Sequence, residues 1–415
     1  MQSVLSKITP GSKASPVRAI VTGATGILGR EIVVKLAQDP SYETIHALSR
    51  SQKDHYPAHV VHDHVDLTVD AQKMAEQLKG VEAEHVFFSA YLQQDSEEES
   101  TRVNGKEGDM LQNFLETFVI NKTVSKLKRI ILVTGAKQYG VHLGQTKVPM
   151  VESDPWLPEP PNPPNFYYRQ QRILHAFCEQ HGVEWVVTYP NDVIGFAKGN
   201  FMNLATSIAL YAAIHKELGT GELPWPGGQT FYTRFDSFTC SQLHADFVLW
   251  AARAPTAGNQ AFNVVNGDVE TWANLWPRFA ARFGLRVPEG GIDESLSSTL
   301  TLADSPPFAL TASSAGLSKP QASKVEARVD LVQWSQRSDV KEAWTRLAQR
   351  EGLEHDAFEK ATWNFAKFVL GRNYDLVISM SKARKAGWSG YQDTWEAIDR
   401  VLNELEDARV VPKKK

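Results

Sequence analysis

The stretch that most constrains this chain is Val17-Arg18-Ala19-Ile20-Val21-Thr22-Gly23-Ala24-Thr25-Gly26-Ile27-Leu28-Gly29. It reads as a buried strand, a glycine-rich turn and the first turn of a helix. Gly23 would permit the tight turn, Gly26 would let the backbone approach a pyrophosphate, and Gly29 would let helix and sheet pack closely. Backbone N–H groups at the helix start would then face the phosphates. Three glycines alone are a weak signal. The apolar strand before them, and the apolar-striped Glu31-Ile32-Val33-Val34-Lys35-Leu36 after them, supply the context that a dinucleotide site needs. A glycine-rich turn with no ligand is the plainer alternative, and the features that follow weigh against it.

At 415 residues the chain can bury a large core, as one big domain or two lobes. Its 44 Lys and Arg against 48 Asp and Glu leave a formal charge of −4, which makes no electrostatic case for nucleic acid. The two cysteines, Cys178 and Cys240, form no metal-ligand spacing and no disulfide framework, so a reducing compartment is the default. The N-terminal stretch lacks the apolar core of a signal peptide and reads as a flexible leader. The longest apolar run, Phe201 to Ile214, is too short and too polar to span a bilayer and reads as a buried helix. A soluble cytoplasmic protein with no membrane partner is the expectation. The oligomeric state stays open, a homodimer being one option.

Apolar strands and amphipathic helices alternate through the first half. Strands are expected at Val17 to Thr22, Thr44 to Leu48, His59 to Asp66, Glu84 to Ala90, Arg129 to Thr134 and Glu184 to Thr188. Long helices are expected at Lys106 to Lys126 and Asn165 to Gln180. This alternation predicts an α/β fold: a Rossmann-type, doubly wound parallel sheet with a smaller, mainly helical C-terminal substrate lobe. Its ligand should lie beyond the carboxyl ends of the strands. The expected division is a leader over 1–15, a nucleotide-binding domain over 16–195 with a returning strand near 261–265, and a substrate-binding or capping lobe over 196–415. The stretch 296–324, rich in Ser, Thr, Ala and Pro, reads as a mobile surface loop within that lobe. The many tryptophans beyond Pro190 read mostly as core.

The second strand of such a fold ends beside the adenosine ribose, where an acid favours NAD and a base favours NADP. Here it ends Leu48-Ser49-Arg50-Ser51, with no carboxylate. That favours NADP(H), with Arg50 as partner of the 2′-phosphate and Ser49 and Ser51 as donors. Asp66 and Leu67, ending the third strand, are placed to meet the adenine. The remaining candidate contacts are Thr25 and Ile27 in the glycine turn, Ser89 and Thr134 at strand ends, and Pro190 and Val193 after the sixth strand.

Many dinucleotide enzymes of this shape place a tyrosine and a lysine four residues apart on one helix face. The corresponding helix here opens Asn165-Phe166-Tyr167-Tyr168-Arg169-Gln170-Gln171-Arg172, and neither tyrosine has a lysine four residues on. A lysine stands instead just past the fifth strand, in Thr134-Gly135-Ala136-Lys137-Gln138-Tyr139. With the glycine turn and those two motifs come Pro190-Asn191-Asp192-Val193-Ile194-Gly195, Ala261-Phe262-Asn263-Val264-Val265-Asn266-Gly267-Asp268 and Phe365-Ala366-Lys367-Phe368-Val369-Leu370-Gly371. Over most of its length the chain resembles the progesterone 5β-reductase and iridoid synthase-like family of extended short-chain dehydrogenases/reductases. The resemblance implies that Tyr167 and Lys137 are the catalytic residues. It also implies NADPH-dependent 1,4-reduction of a C=C bond beside a carbonyl. Two positions depart from the family: Gln138 stands where a histidine is common, and Arg50-Ser51 where an arginine pair is common. The stretch 296–324 looks like an addition.

The implied substrate is a small apolar carbonyl compound, a terpenoid- or steroid-like enone or enal. Its wall is expected from Phe201, Met202, Leu204, the segment Trp225 to Phe231, and Phe365 and Phe368. A reduction whose enolate goes on to cyclise or rearrange is not separated from simple reduction, and two other functions stay open on the residues alone. One is an NADP-dependent ketone reductase or alcohol dehydrogenase using the same pair. The other is a non-catalytic NADP-sensing regulator, which would need the glycine turn but neither Tyr167 nor Lys137.

Overall fold

A computed structural model describes residues 17–52, 54–92, 102, 110–197, 203–289 and 296–414. The expected leader, Phe201 and Met202 lie outside these residues.

The first strand, β1 (Val17–Thr22), holds Ala19, Ile20 and Val21 with no exposed surface. A strand covered by helices on both faces of a parallel sheet has no polar side to show, hence the unbroken apolar run. The other strands of the sheet are β2 (Tyr42–Ser49), β3 (Val60–His64), β4 (His85–Phe88), β5 (Arg129–Val133), β6 (Glu184–Pro190) and, far along the chain, β7 (Gln260–Val264). Their order is β3-β2-β1-β4-β5-β6-β7, and every neighbouring pair is parallel. The order reverses between β1 and β4. The loops leaving their carboxyl ends diverge there, and a crevice opens between them.

The helices beside the sheet are α1 (Ile27–Gln38), α2 (Ala71–Gln77), α3 (Met110–Ile120), α4 (Phe166–His181) and, after the long buried α5 (Leu204–Glu217), α6 (Ser241–Ala251). The remaining helices that matter here are α7 (Trp272–Arg282), α8 (Phe308–Ser314), α9 (Leu331–Gln336), α10 (Ser338–Glu351), α11 (Ala357–Lys360) and α12 (Trp363–Gly371). Two apolar cores result. One lies on the sheet. The other gathers α5, α7 and the later helices around Tyr211, Trp225, Trp272, Trp276 and Trp334, all buried.

Two expectations are corrected. The long helix expected up to Lys126 ends at Ile120: Lys122 takes a φ of 58°, left-handed backbone that stops a helix, and a short 3-10 turn covers Val124–Lys126. Residues 106–109 of that expectation lie outside the described ones. The stretch 296–324 is not a plain loop. It carries β8 (Ser298–Thr301), which pairs antiparallel with β9 (Lys324–Ala327), and α8 between them. Its Ser, Thr and Ala residues suit a two-stranded ribbon packed on one side only. Pro306, Pro307 and Ala312 fall on the buried side, and the N–H of Phe308 donates to the carbonyl of Gln145 at 2.9 Å.

Candidate active site

The crevice is a cavity of about 470 Å³, within the range of small-molecule sites, at the carboxyl ends of β1 to β6. Its floor is the glycine turn. Gly23 has φ of 65°, and a Cβ there would lie 2.9 Å from the backbone of Ser89 and Ala90, so only glycine lets β1 turn this close to the end of β4. Gly26 caps α1 with no side chain accepting from the first amides, and no acid sits in the first turn. The Gly26 N–H donates to the Gly23 carbonyl at 2.9 Å, and the positive end of the helix lies at the cavity where Ile27 and Leu28 line it. The donor set fits a diphosphate. Gly29 does not reach the cavity. A Cβ there would stand 2.1 Å from the Gly23 carbonyl oxygen, so its place is where α1 packs on the turn.

At the other end, Ser49, Arg50, Asp66 and Leu67 line the cavity. Asp66 accepts from the N–H and hydroxyl of Thr68 at 3.0 and 2.7 Å. These bonds, aided by the charge of Arg50, hold its carboxyl below the usual range against a small burial effect. Two donor expectations change here. Ser51 is exposed and outside the lining, and the Ser49 hydroxyl is already committed: it donates to the Ser51 carbonyl at 2.9 Å and meets His62 Nε2 at 2.9 Å. Ser89, Thr134, Pro190, Val193 and Thr25 all line the cavity. Two of these spend their hydroxyls on backbone, Ser89 donating to Thr22 at 2.6 Å and Thr134 to Thr188 at 3.0 Å.

A further corner of the cavity lies where β5 gives way to a 3-10 turn, Ala136–Tyr139, facing the start of α4. Tyr139, Tyr167 and Tyr168 stand at this corner, and their surroundings differ. The Tyr139 hydroxyl donates to Asn263 Oδ1 at 2.6 Å, inside the core. The Tyr168 hydroxyl donates to the Gln138 carbonyl at 2.8 Å and accepts from the N–H of Leu157 at 3.0 Å, with its ring stacked on Trp156. Neither lines the cavity, whereas Tyr167 does, together with Lys137. The Tyr167 hydroxyl lies 3.3 Å from the point where a Cβ on Gly135 would stand.

Gln171, four residues beyond Tyr167, is buried; its amide donates to Gln138 Oε1 at 2.8 Å and accepts from the Tyr189 hydroxyl at 2.7 Å. The site that other dinucleotide enzymes give to lysine is here a fastening between α4, the 3-10 turn and β6. Gln138, whose identity bore on pocket polarity, is turned into that fastening and away from the lining.

The far wall comes from Tyr91, Leu92, Met110, Val141 and Phe166, and from Phe365 and Phe368 of α12. Phe365 and Phe368 were expected there. Leu204, Trp225 and Phe231 were too, and they are core instead: each is at most 4% exposed, and the Trp225 indole N–H donates to the Gly228 carbonyl at 3.0 Å among Trp272 and Trp276. Sequence reasoning missed Asp192 and Arg372. Both line the cavity and form a buried, bidentate ion pair, with the Phe368 ring 5.2 Å from the guanidinium carbon. Asp192 lay within a recognised motif; nothing in the sequence tied it to an arginine 180 residues away.

A PRISE-like Rossmann-fold domain matches residues 58–297. An uncharacterised protein of Schizosaccharomyces pombe is 38% identical over 95% of this chain and 98% of its own length. An (S)-8-oxocitronellyl enol synthase of Nepeta cataria is 27% identical over 95% of this chain and 91% of its own. A 3-oxo-Δ4,5-steroid 5β-reductase of Arabidopsis thaliana is 26% identical over 95% and 93%.

Proposed function

The chain belongs to the PRISE-like Rossmann-fold family, the progesterone 5β-reductase and iridoid synthase-like branch of the short-chain dehydrogenases/reductases; from that premise we propose that it uses NADPH to reduce the activated C=C bond of an apolar enone or enal. It is an oxidoreductase with a dinucleotide-binding fold. The observation that carries the finer proposal is the sorting of the three tyrosines: the one facing the cavity beside Lys137 is the one that the family resemblance implies.

NADPH would be held by the open amides of α1, by Arg50 at the ribose end and by Asp66 and Leu67 at the adenine. The absence of a carboxylate at the end of β2 supports NADPH over NADH. When bound, NADPH would supply the hydride for the substrate β-carbon, and the carbonyl oxygen would then carry enolate charge. Tyr167 Oη donates a hydrogen bond to that oxygen, and the Lys137 ammonium adds positive charge close by. In a cavity walled by aromatic side chains, stabilising that charge is the greatest help the protein can give the reaction. Solvent can protonate the α-carbon, so no further acid is needed. Gln171 stands where a lysine would serve direct alcohol oxidation, which argues against the ketone-reductase alternative.

The test is turnover of 2-cyclohexen-1-one, linear enals and a 4-en-3-one steroid, with NADPH and with NADH. Wild type runs beside Tyr167→Phe and Lys137→Ala, and products are identified by mass. Saturated carbonyl products, preference for NADPH, and rates reduced at least ten-fold in both variants are expected. Allylic alcohol as product, or undiminished rates in both variants, would overturn the proposal.

A further inference from the structure

On a helix that carries both a tyrosine and a lysine one turn apart, the helix itself sets their spacing. Here Tyr167 is on α4 and Lys137 is in the turn after β5, so another group must fix one against the other. Asn165 is placed to do so. As the N-cap of α4, its Oδ1 accepts from the N–H of Tyr167 at 3.1 Å. Its Nδ2 donates to the carbonyl oxygen of Lys137 at 2.8 Å. The residue is buried, 9% exposed, so neither bond competes freely with water. Gln171 and Tyr168 fasten the same turn, but at Gln138, one residue further on. Asn165 acts on the Lys137 peptide itself.

We propose that Asn165 is a positioning residue. Its amide, with an acceptor on one side and a donor on the other, fixes the Lys137 backbone relative to Tyr167 so that ammonium and hydroxyl converge on one substrate oxygen. This inference rests on the assignment of Tyr167 and Lys137 made above. A plain helix cap would need only the acceptor. Asp and Ser cap as well as Asn does, but the Asp carboxylate has no proton to give the Lys137 carbonyl.

The experiment compares wild type, Asn165→Asp, Lys137→Ala and the double variant. Amide hydrogen exchange over residues 136–140 is measured on the NADPH-free protein, so it needs no substrate. Thermal unfolding checks the cap. NADPH oxidation is followed with the fastest enone of the panel above. In Asn165→Asp we expect exchange over 136–140 at least ten-fold faster and an unfolding midpoint close to wild type. We expect kcat to fall by about ten- to a hundred-fold, the scale set by ångström-size misplacement of a reacting group, with little change in KM for NADPH. In the Lys137→Ala background the same substitution should cost almost nothing more, since no ammonium is left to misplace. Unchanged exchange, or an equal loss in both backgrounds, overturns the inference while leaving the catalytic assignment intact. A Lys137→Ala variant at full rate overturns that assignment, and the inference with it. Should Asn165→Asp fail to fold, Asn165→Ser is the second variant: it keeps the cap but is too short to reach the Lys137 carbonyl, and the same outcomes apply.

Discussion

Gly135 has extended backbone, φ 170° and ψ −179°, that any residue could adopt. Its lack of a side chain matters for space alone. A Cβ would stand 3.3 Å from the Tyr167 hydroxyl and 3.4 Å from the Pro190 carbonyl oxygen. Gly135→Ala should therefore fold normally and push the hydroxyl by a few tenths of an ångström. The expected result is kcat lowered by about ten-fold, with a change in unfolding free energy of less than about 1 kcal/mol. Wild-type kcat in a folded Gly135→Ala variant would show that the exact place of the hydroxyl is unimportant. At this scale local spacing led only to the pair of adjacent tyrosines, and it was the family resemblance that singled out Tyr167. Tyr167 and Tyr168 differ in no local property. The carbonyl of Gln138 and the N–H of Leu157, which take up the Tyr168 hydroxyl, come from two other segments.

Most elements were legible because parallel strands buried on both faces must be apolar runs, and the helices between them must carry one apolar stripe. The glycine turn was legible for a stronger reason: the spacing of its glycines is set by contacts within the turn itself, such as that of Gly29 with Gly23, although Ser89 and Ala90 close it from β4. A Cβ on Gly29 would meet the carbonyl oxygen of Gly23 at 2.1 Å and the Ser89 hydroxyl at 2.8 Å. Gly29→Ala should lift α1 from the turn, and backbone offers no rotamer with which to give way. We expect a loss of about 1–3 kcal/mol or more, despite the better helix propensity of alanine, and NADPH affinity weakened at least ten-fold. Urea unfolding and a fluorescence titration with NADPH check both. Unaltered NADPH affinity would mean that the α1 amides take no part in binding. The stretch 296–324 was misread because composition reports solvent exposure, and a ribbon exposed on one face has the composition of a loop.

Across the whole molecule, Asp192 after β6, Arg372 after α12 and Asp236 of the short strand Phe235–Asp236 meet in the interior where sheet and helical lobe join the cavity. Burial, then the charge of Asp192, push the Asp236 carboxyl well above the usual carboxylate range, against the pull of Arg372. The folded protein thus keeps a proton that the unfolded chain releases above about pH 4. Since the native state binds more protons in that window, this group's contribution to stability falls as pH rises from about 4 towards its folded pKa. Asp236→Asn removes that slope. Its urea midpoint relative to wild type should therefore rise between about pH 5 and 8, and a difference constant across that range would show Asp236 ionised in the fold. Such a cluster joins residues far apart in the chain, Asp192 and Arg372 being 180 positions apart, and no periodicity encodes it. By itself the sequence determined the parallel sheet, the dinucleotide turn and the family to which the chain belongs. All of these rest on local spacing and on backbone and burial rules that act along a segment. Tertiary structure decided which tyrosine faces the cavity, which aromatics are wall and which are core, and how Lys137 is held against α4. Those depend on hydrogen bonds and contacts between elements that meet only once the sheet is assembled.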